Sequence, residues 1–190
     1  GMIWRQNIFV YGNSNESILE FQYGNSNQGI VNNALFRSFG SSSRNPHFNV
    51  PLDITSWDLN SIFGKKDFRA KMSYTKESGA SSGKSSKFQE SESSGANWIV
   101  YRLPEIILMK AEALVQLNFE TNKEQALQLV NTVYMRAQNT PAVDDSLQMA
   151  AYDEKMLMDD LILAERQREL MFEGKRWFDI MRAARREKTM

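Results

Sequence analysis

The chain has 190 residues and no cysteine, and its 23 basic residues balance 23 acidic ones. Balanced charge excludes the broad positive field that attracts nucleic acid or anionic membranes, and the lack of cysteine excludes disulfides and thiol chemistry. A chain of this length can bury about 70% of its unfolded surface, which is enough for a complete core.

Two segments of the first half alternate apolar and polar residues. In residues 15–23 the apolar Leu19 and Phe21 flank Glu20, and residues 68–75 alternate in the same way. Because neighbouring side chains of a strand point to opposite faces, a period of two predicts half-buried β-strands at both places.

Loops are expected to fill the rest of the first half. Residues 24–66 are rich in glycine, asparagine, serine and proline and lack a helical period, which predicts a long ordered loop. Residues 77–96 are dominated by serine and glycine, which predicts a flexible hairpin excursion that proteases cleave first. Residues 1–97 are therefore predicted to form a loop-rich region with a few short strands.

The character of the chain changes at residue 98, where a short strand leads into a helical region. Pro104 suits the first turn of a helix that runs to about Asn118, since a first-turn proline loses no hydrogen bond. Four residues spaced three or four apart are expected to point inward from this helix: Ile107, Ala111, Leu114 and Leu117.

A second helix is predicted from Thr121 to about Asn139. Thr121 and Glu124 form a T-x-x-E capping box, the pattern that starts many helices. Its inward residues are expected to be Ala126, Val130, Val133 and Ala137. The two helices together are similar to a degenerate tetratricopeptide unit, whose repeat is about 34 residues long.

Two more helices are predicted in the last quarter. One runs from Asp153 to Glu173, with Gly174 as its left-handed cap, and the last spans residues 175–186. The last helix is amphipathic, and its apolar residues are expected to be buried: Trp177, Phe178, Ile180 and Met181. The predicted fold class is α+β and mostly α, with helical residues 98–190 packed against residues 1–97 in one structural unit.

Charged residues interrupt the apolar stripe of the third predicted helix. Within LILAERQREL, Glu165, Arg168 and Glu169 continue that stripe, and a buried ion needs a partner because an unpaired one costs several kcal/mol. Arginines such as Arg136 are expected to supply the opposite charges. We predict a structural ion network made of Arg102, Glu165, Arg168, Glu169, Arg176, Asp179 and Arg182.

Three blocks in this order carry a resemblance to a known family. They are YRLPEIILMKAEA at 101–113, VNTVYMRA at 130–137 and LILAERQRELMFEGKRWFDIMR at 161–182. They are similar to the C-terminal region of the SusD/RagB family of outer-membrane nutrient-binding lipoproteins. Members of that family are usually more than twice this long, so the resemblance implies a fragment of a longer parent.

The resemblance also implies a function. It implies a non-catalytic glycan-binding protein without a cofactor, lipid-anchored at the cell surface in its longer form. Such a protein would capture oligosaccharide and deliver it to a TonB-dependent, SusC-like transporter of the outer membrane.

Candidate ligand contacts lie in the predicted loop of the first half. Trp57 has polar neighbours, which favours an exposed ring on which the apolar face of a sugar can stack. His47 is the single histidine, so a catalytic triad or a multi-histidine metal site is excluded and no metal is predicted. The residues expected to bond sugar hydroxyls are Arg44, Asn45, His47, Asp58 and Asn60.

Two alternative functions stay open. A helical-repeat adaptor would bind a protein on the exposed faces of residues 104–139, and a hydrophobic groove there would favour it. A glycan-active enzyme would need two carboxyl groups about 5 to 9 Å apart in an open cleft. The apolar surroundings of Glu165 and Glu169 disfavour the enzyme.

Overall fold

The computed structural model describes residues 2–22, 62–75, 84–85, 87, 97–139, 142 and 145–188. The chain divides into two compact units, Gly1–Leu103 and Pro104–Met190, at a point slightly later than the predicted change at residue 98. Helices dominate and the sheets are small, which confirms the predicted α+β, mostly α fold class.

The first unit opens with helix α1, Met2–Arg5, which continues directly into a π-helical turn, Gln6–Val10. Strand β1, Ser17–Phe21, pairs antiparallel with the later strand Trp98–Arg102, so a strand within residues 15–23 is confirmed.

The burial predicted for β1 is wrong. Leu19 and Phe21 are 47% and 58% exposed. The pairing register shifts on both sides of Leu19, and such a bulge interrupts the alternation that would turn one set of side chains inward.

The strand predicted over residues 68–75 is mostly a helix. Helix α2 spans Arg69–Ser73, and only Tyr74–Thr75 is extended, as strand β2. Asp67 explains the difference: its Oδ1 accepts the backbone N–H of Arg69 at 2.9 Å, and its carboxylate lies 2.6 Å from the Arg69 guanidinium. An aspartate that accepts the backbone N–H two residues on favours a helix start, and it overrides the alternating pattern.

Strand β2 pairs with β3, Lys84–Ser85, so the predicted hairpin excursion has a paired base. The side chain of Lys87 is fully buried, with Nζ 4.9 Å from the ring centroid of Phe9. The segment is therefore anchored at Lys84–Ser85 and Lys87, and the other residues of 77–96 lie outside the described part of the chain. Strand β4 is Trp98–Arg102.

The second unit is built on helices. They are α3, Leu103–Leu117; α4, Phe119–Arg136; a 3-10 turn, Met149–Ala151; α5, Lys155–Glu169; and α6, Arg176–Glu187. Within the described ranges, every helix is too short or too polar to span a bilayer. The apolar core comes from α3, α4 and α5, through residues that include Leu108, Ala111, Val115, Val130, Met158 and Ile162.

The inward face of α3 differs from the prediction by one position. Ala111 is buried as expected, and Ile107 and Leu114 are half-buried and pack against the core. Leu108 and Val115 fill the core beside them, and Leu117 is 80% exposed. Glu105 and Glu112 are buried on the same side of the helix. The helix is turned so that these two carboxylates reach cations, which rotates the apolar stripe.

Helix α4 begins earlier than its capping box predicts. Asn118 is the cap, since its Oδ1 accepts the Thr121 backbone N–H at 3.2 Å, and Phe119 is then free to pack into the core. The predicted inward residues are confirmed, because all four are buried: Ala126, Val130, Val133 and Ala137.

The last two helices differ most from the sequence-based prediction. Helix α5 ends at Glu169 rather than residue 173, and a turn with Phe172 at φ 66 and Gly174 at φ 76 follows. Helix α6 exposes the residues it was predicted to bury: Trp177 67%, Phe178 66%, Ile180 45% and Met181 36%. Its one buried residue is Asp179.

Candidate functional site

The sugar contacts predicted from sequence lie outside the described residues. They are Arg44, Asn45, His47, Trp57, Asp58 and Asn60. The part of the first unit that the structure describes contains a polar depression of about 360 Å³ along β1, which we call the β1 depression. It is lined by Asn13, Ser14, Ser17, Ile18, Leu19, Glu20 and Gln22.

The loop before β1 shapes this depression. Gly12 and Asn13 are both left-handed, at φ 66 and 48, which turns the chain sharply into the strand. Glu20 then fixes the loop, since its Oε2 accepts the Asn13 backbone N–H at 2.9 Å and the Asn97 side-chain amide at 2.7 Å. A Cβ on Gly12 would lie 2.6 Å from Asn97 Nδ2, so the site requires glycine.

The β1 depression has chemistry suited to neutral polyols. The amides, hydroxyls and carboxylate around it can each bond a ligand hydroxyl, and Gln22 Nε2 already donates to Asn13 Oδ1 at 2.9 Å. Exposed rings occur in the same unit: Tyr11 70%, Phe21 58% and Tyr101 42%. Sequence reasoning missed this surface because GNSNES has the composition of an ordinary turn and Glu20 is partnered by residue 97, far along the chain.

The two carboxylates that interrupt the stripe of α5 are fully buried and paired. Arg168 Nε donates to Glu165 Oε2 at 2.8 Å, and Arg136 Nη2 lies 2.6 Å from Glu169 Oε1. The side chains of Glu165 and Glu169 have no exposed surface. Each negative charge therefore meets a guanidinium and is closed to solvent.

A second group of charges lies between α6 and the body of the helical unit. Asp179 Oδ1 is 2.8 Å from Arg166 and 3.0 Å from Arg182. Arg166 also lies 3.7 Å from Glu105, which Lys175 approaches at 3.1 Å. The side of α6 that contacts the protein is therefore ionic.

Glu112 of α3 is the second anchor of α6. Arg182 donates two parallel hydrogen bonds of 2.8 Å to the Glu112 carboxylate, and Arg186 contacts the same carboxylate. Burial alone would raise the pKa of Glu112, but the hydrogen bonds and charges of the two arginines outweigh it and hold that pKa below its ordinary value. The Glu112 hydrogen bond in turn raises the pKa of Arg182.

Arg102 and Arg176 are the remaining predicted members of the ion network. Arg102 is in the first unit, where its guanidinium is 3.4 Å from Glu16 and covers the ring of Phe9 at 5.5 Å. Arg176 Nη1 donates to the Leu163 carbonyl at 3.0 Å, and burial lowers the Arg176 pKa although the charge of Asp179 opposes this.

The part of the chain that the structure describes contains no group of side chains that could hold a metal ion. Within those ranges, no three histidine or carboxylate side chains gather around one point.

Sequence comparisons connect this fold to one family. The model of the SusD family matches residues 53–190. Two curated proteins of Formosa agariphila are similar: SusD-like protein P38, 35% identical over 96 residues, and SusD-like protein P2, 36% identical over 92 residues. These matches span 50% and 47% of this chain but only 18% and 17% of the relatives' own length.

Comparison with solved structures agrees with the family match at the level of the fold. Two SusD superfamily proteins from Bacteroides vulgatus resemble this chain, with TM-scores of 0.56 and 0.57 at 22% and 20% identity. The matched regions cover 90% and 93% of this chain and 36% and 47% of those proteins. At this identity the likeness concerns the fold.

Proposed function

The chain belongs to the SusD family, and on that premise we propose that it is the C-terminal part of a non-catalytic glycan-binding protein. The family match over residues 53–190 carries this proposal. The β1 depression supports it, because amides and hydroxyls line it, and these groups bond the hydroxyls of neutral sugars. The ligand is an oligosaccharide, and no cofactor takes part.

Trp57 is the proposed stacking platform of this site. The face of a pyranose ring is apolar and packs on an indole, while its hydroxyls need donors and acceptors at the rim. The proposed partners of those hydroxyls are Arg44, Asn45, His47, Asp58 and Asn60, with the β1 depression as a further contact.

The proposal also assigns the longer protein a cellular location and a partner protein. The longer protein would be lipid-anchored at the surface of the outer membrane and would pass its ligand to a TonB-dependent, SusC-like transporter. Family membership and the likeness to two SusD-like proteins support this assignment.

The geometry of the helical unit favours binding over hydrolysis. A glycosidase needs two carboxyl groups about 5 to 9 Å apart that open on the substrate. Glu165 and Glu169 are instead fully buried, and each is paired with an arginine. Their carboxylates stabilise the fold through these ion pairs, and a buried carboxylate cannot contact a glycosidic oxygen.

Calorimetric titration, after a glycan-array screen, tests the proposal. We expect weak binding of a neutral oligosaccharide, with Kd in the millimolar range, equivalent to about 4 kcal/mol. Trp57→Ala should abolish the heat of binding and Gln22→Ala should reduce it. Gln125→Ala, on the exposed face of α4, is the control and should bind normally.

Three results would contradict parts of this proposal. Unchanged affinity in Trp57→Ala with an intact fold would remove Trp57 from the site. Unchanged affinity in Gln22→Ala would remove the β1 depression. Release of reducing sugar by the purified protein would defeat the non-catalytic assignment.

A further inference from the structure

We draw no further inference here: the strongest candidate, the apolar stripe that helix α6 exposes at Trp177, Ile180 and Met181, carries no proposal because nothing in the structure shows what covers it in a chain that spans only part of its relatives' length.

Discussion

Substitution of Glu112 tests whether ion pairs hold α6 in place. Glu112→Gln keeps the size of the side chain but removes the charge that Arg182 and Arg186 share. Breaking a fully buried ion pair costs about 3 to 5 kcal/mol. The side chains of Arg182 and Arg186 are 40% and 28% exposed and can turn toward water, so we expect a smaller loss, about 2 kcal/mol.

Thermal unfolding followed by circular dichroism measures this loss. For a unit of this size, about 2 kcal/mol lowers Tm by roughly 10 °C. Hydrogen exchange should also accelerate in α6 before it accelerates in α4, because the apolar core does not include α6. Glu120→Gln is the matched control, since Glu120 forms an ion pair with Lys123 while its own side chain stays 76% exposed. An equal Tm for the two variants would refute the ionic attachment.

Three further predictions concern acid, the buried glutamate of α5 and the glycine of the β1 loop. Because the pKa of Glu112 is held below its ordinary 4.5, its contribution to stability is complete above about pH 4.5 and is lost as the pH falls through the folded value. Melts between about pH 7 and pH 3 should show this loss, and the loss should be smaller in Glu112→Gln. Glu169→Ala removes the ion pair with Arg136, whose side chain is 31% exposed, so urea unfolding should give a loss of about 2 to 4 kcal/mol. An unchanged midpoint would contradict the pairing. Gly12→Ala should cost about 1 to 2 kcal/mol, more than Gly174→Ala, because both glycines have positive φ but only Gly12 would meet a neighbour; equal urea midpoints would contradict the steric argument.

The helices of the second unit could be predicted because long apolar periods outweigh local detail. The stripe of α4 from Ala126 to Ala137 was predicted residue by residue. Its start was not, since Asn118 and Thr121 are both good caps and the contact of Phe119 with the core decides between them. The family was predicted from the same region, where its motifs are dense.

The first unit was harder to predict because its contacts are distant in sequence or depend on single side chains. Glu20 meets Asn97 across 77 positions, and no local pattern indicates that pair. Helix α2 depends on the bonds of one carboxylate, Asp67, to Arg69. An alternating stretch of eight residues carries too little information to compete with such a cap.

Helix α6 marks the limit of reasoning from amphipathic periods. The sequence indicates two faces on this helix, one apolar and one charged, but the period alone does not say which face meets the protein. That choice depends on what the neighbouring helices present, and α3 and α5 present Glu112 and Arg166. With these charges buried beside it, α6 turns toward them the face that carries Arg182 and Asp179, because a buried charge without a partner is strongly unfavourable. The exposed Trp177 then follows as a consequence of the ionic contacts on the opposite face.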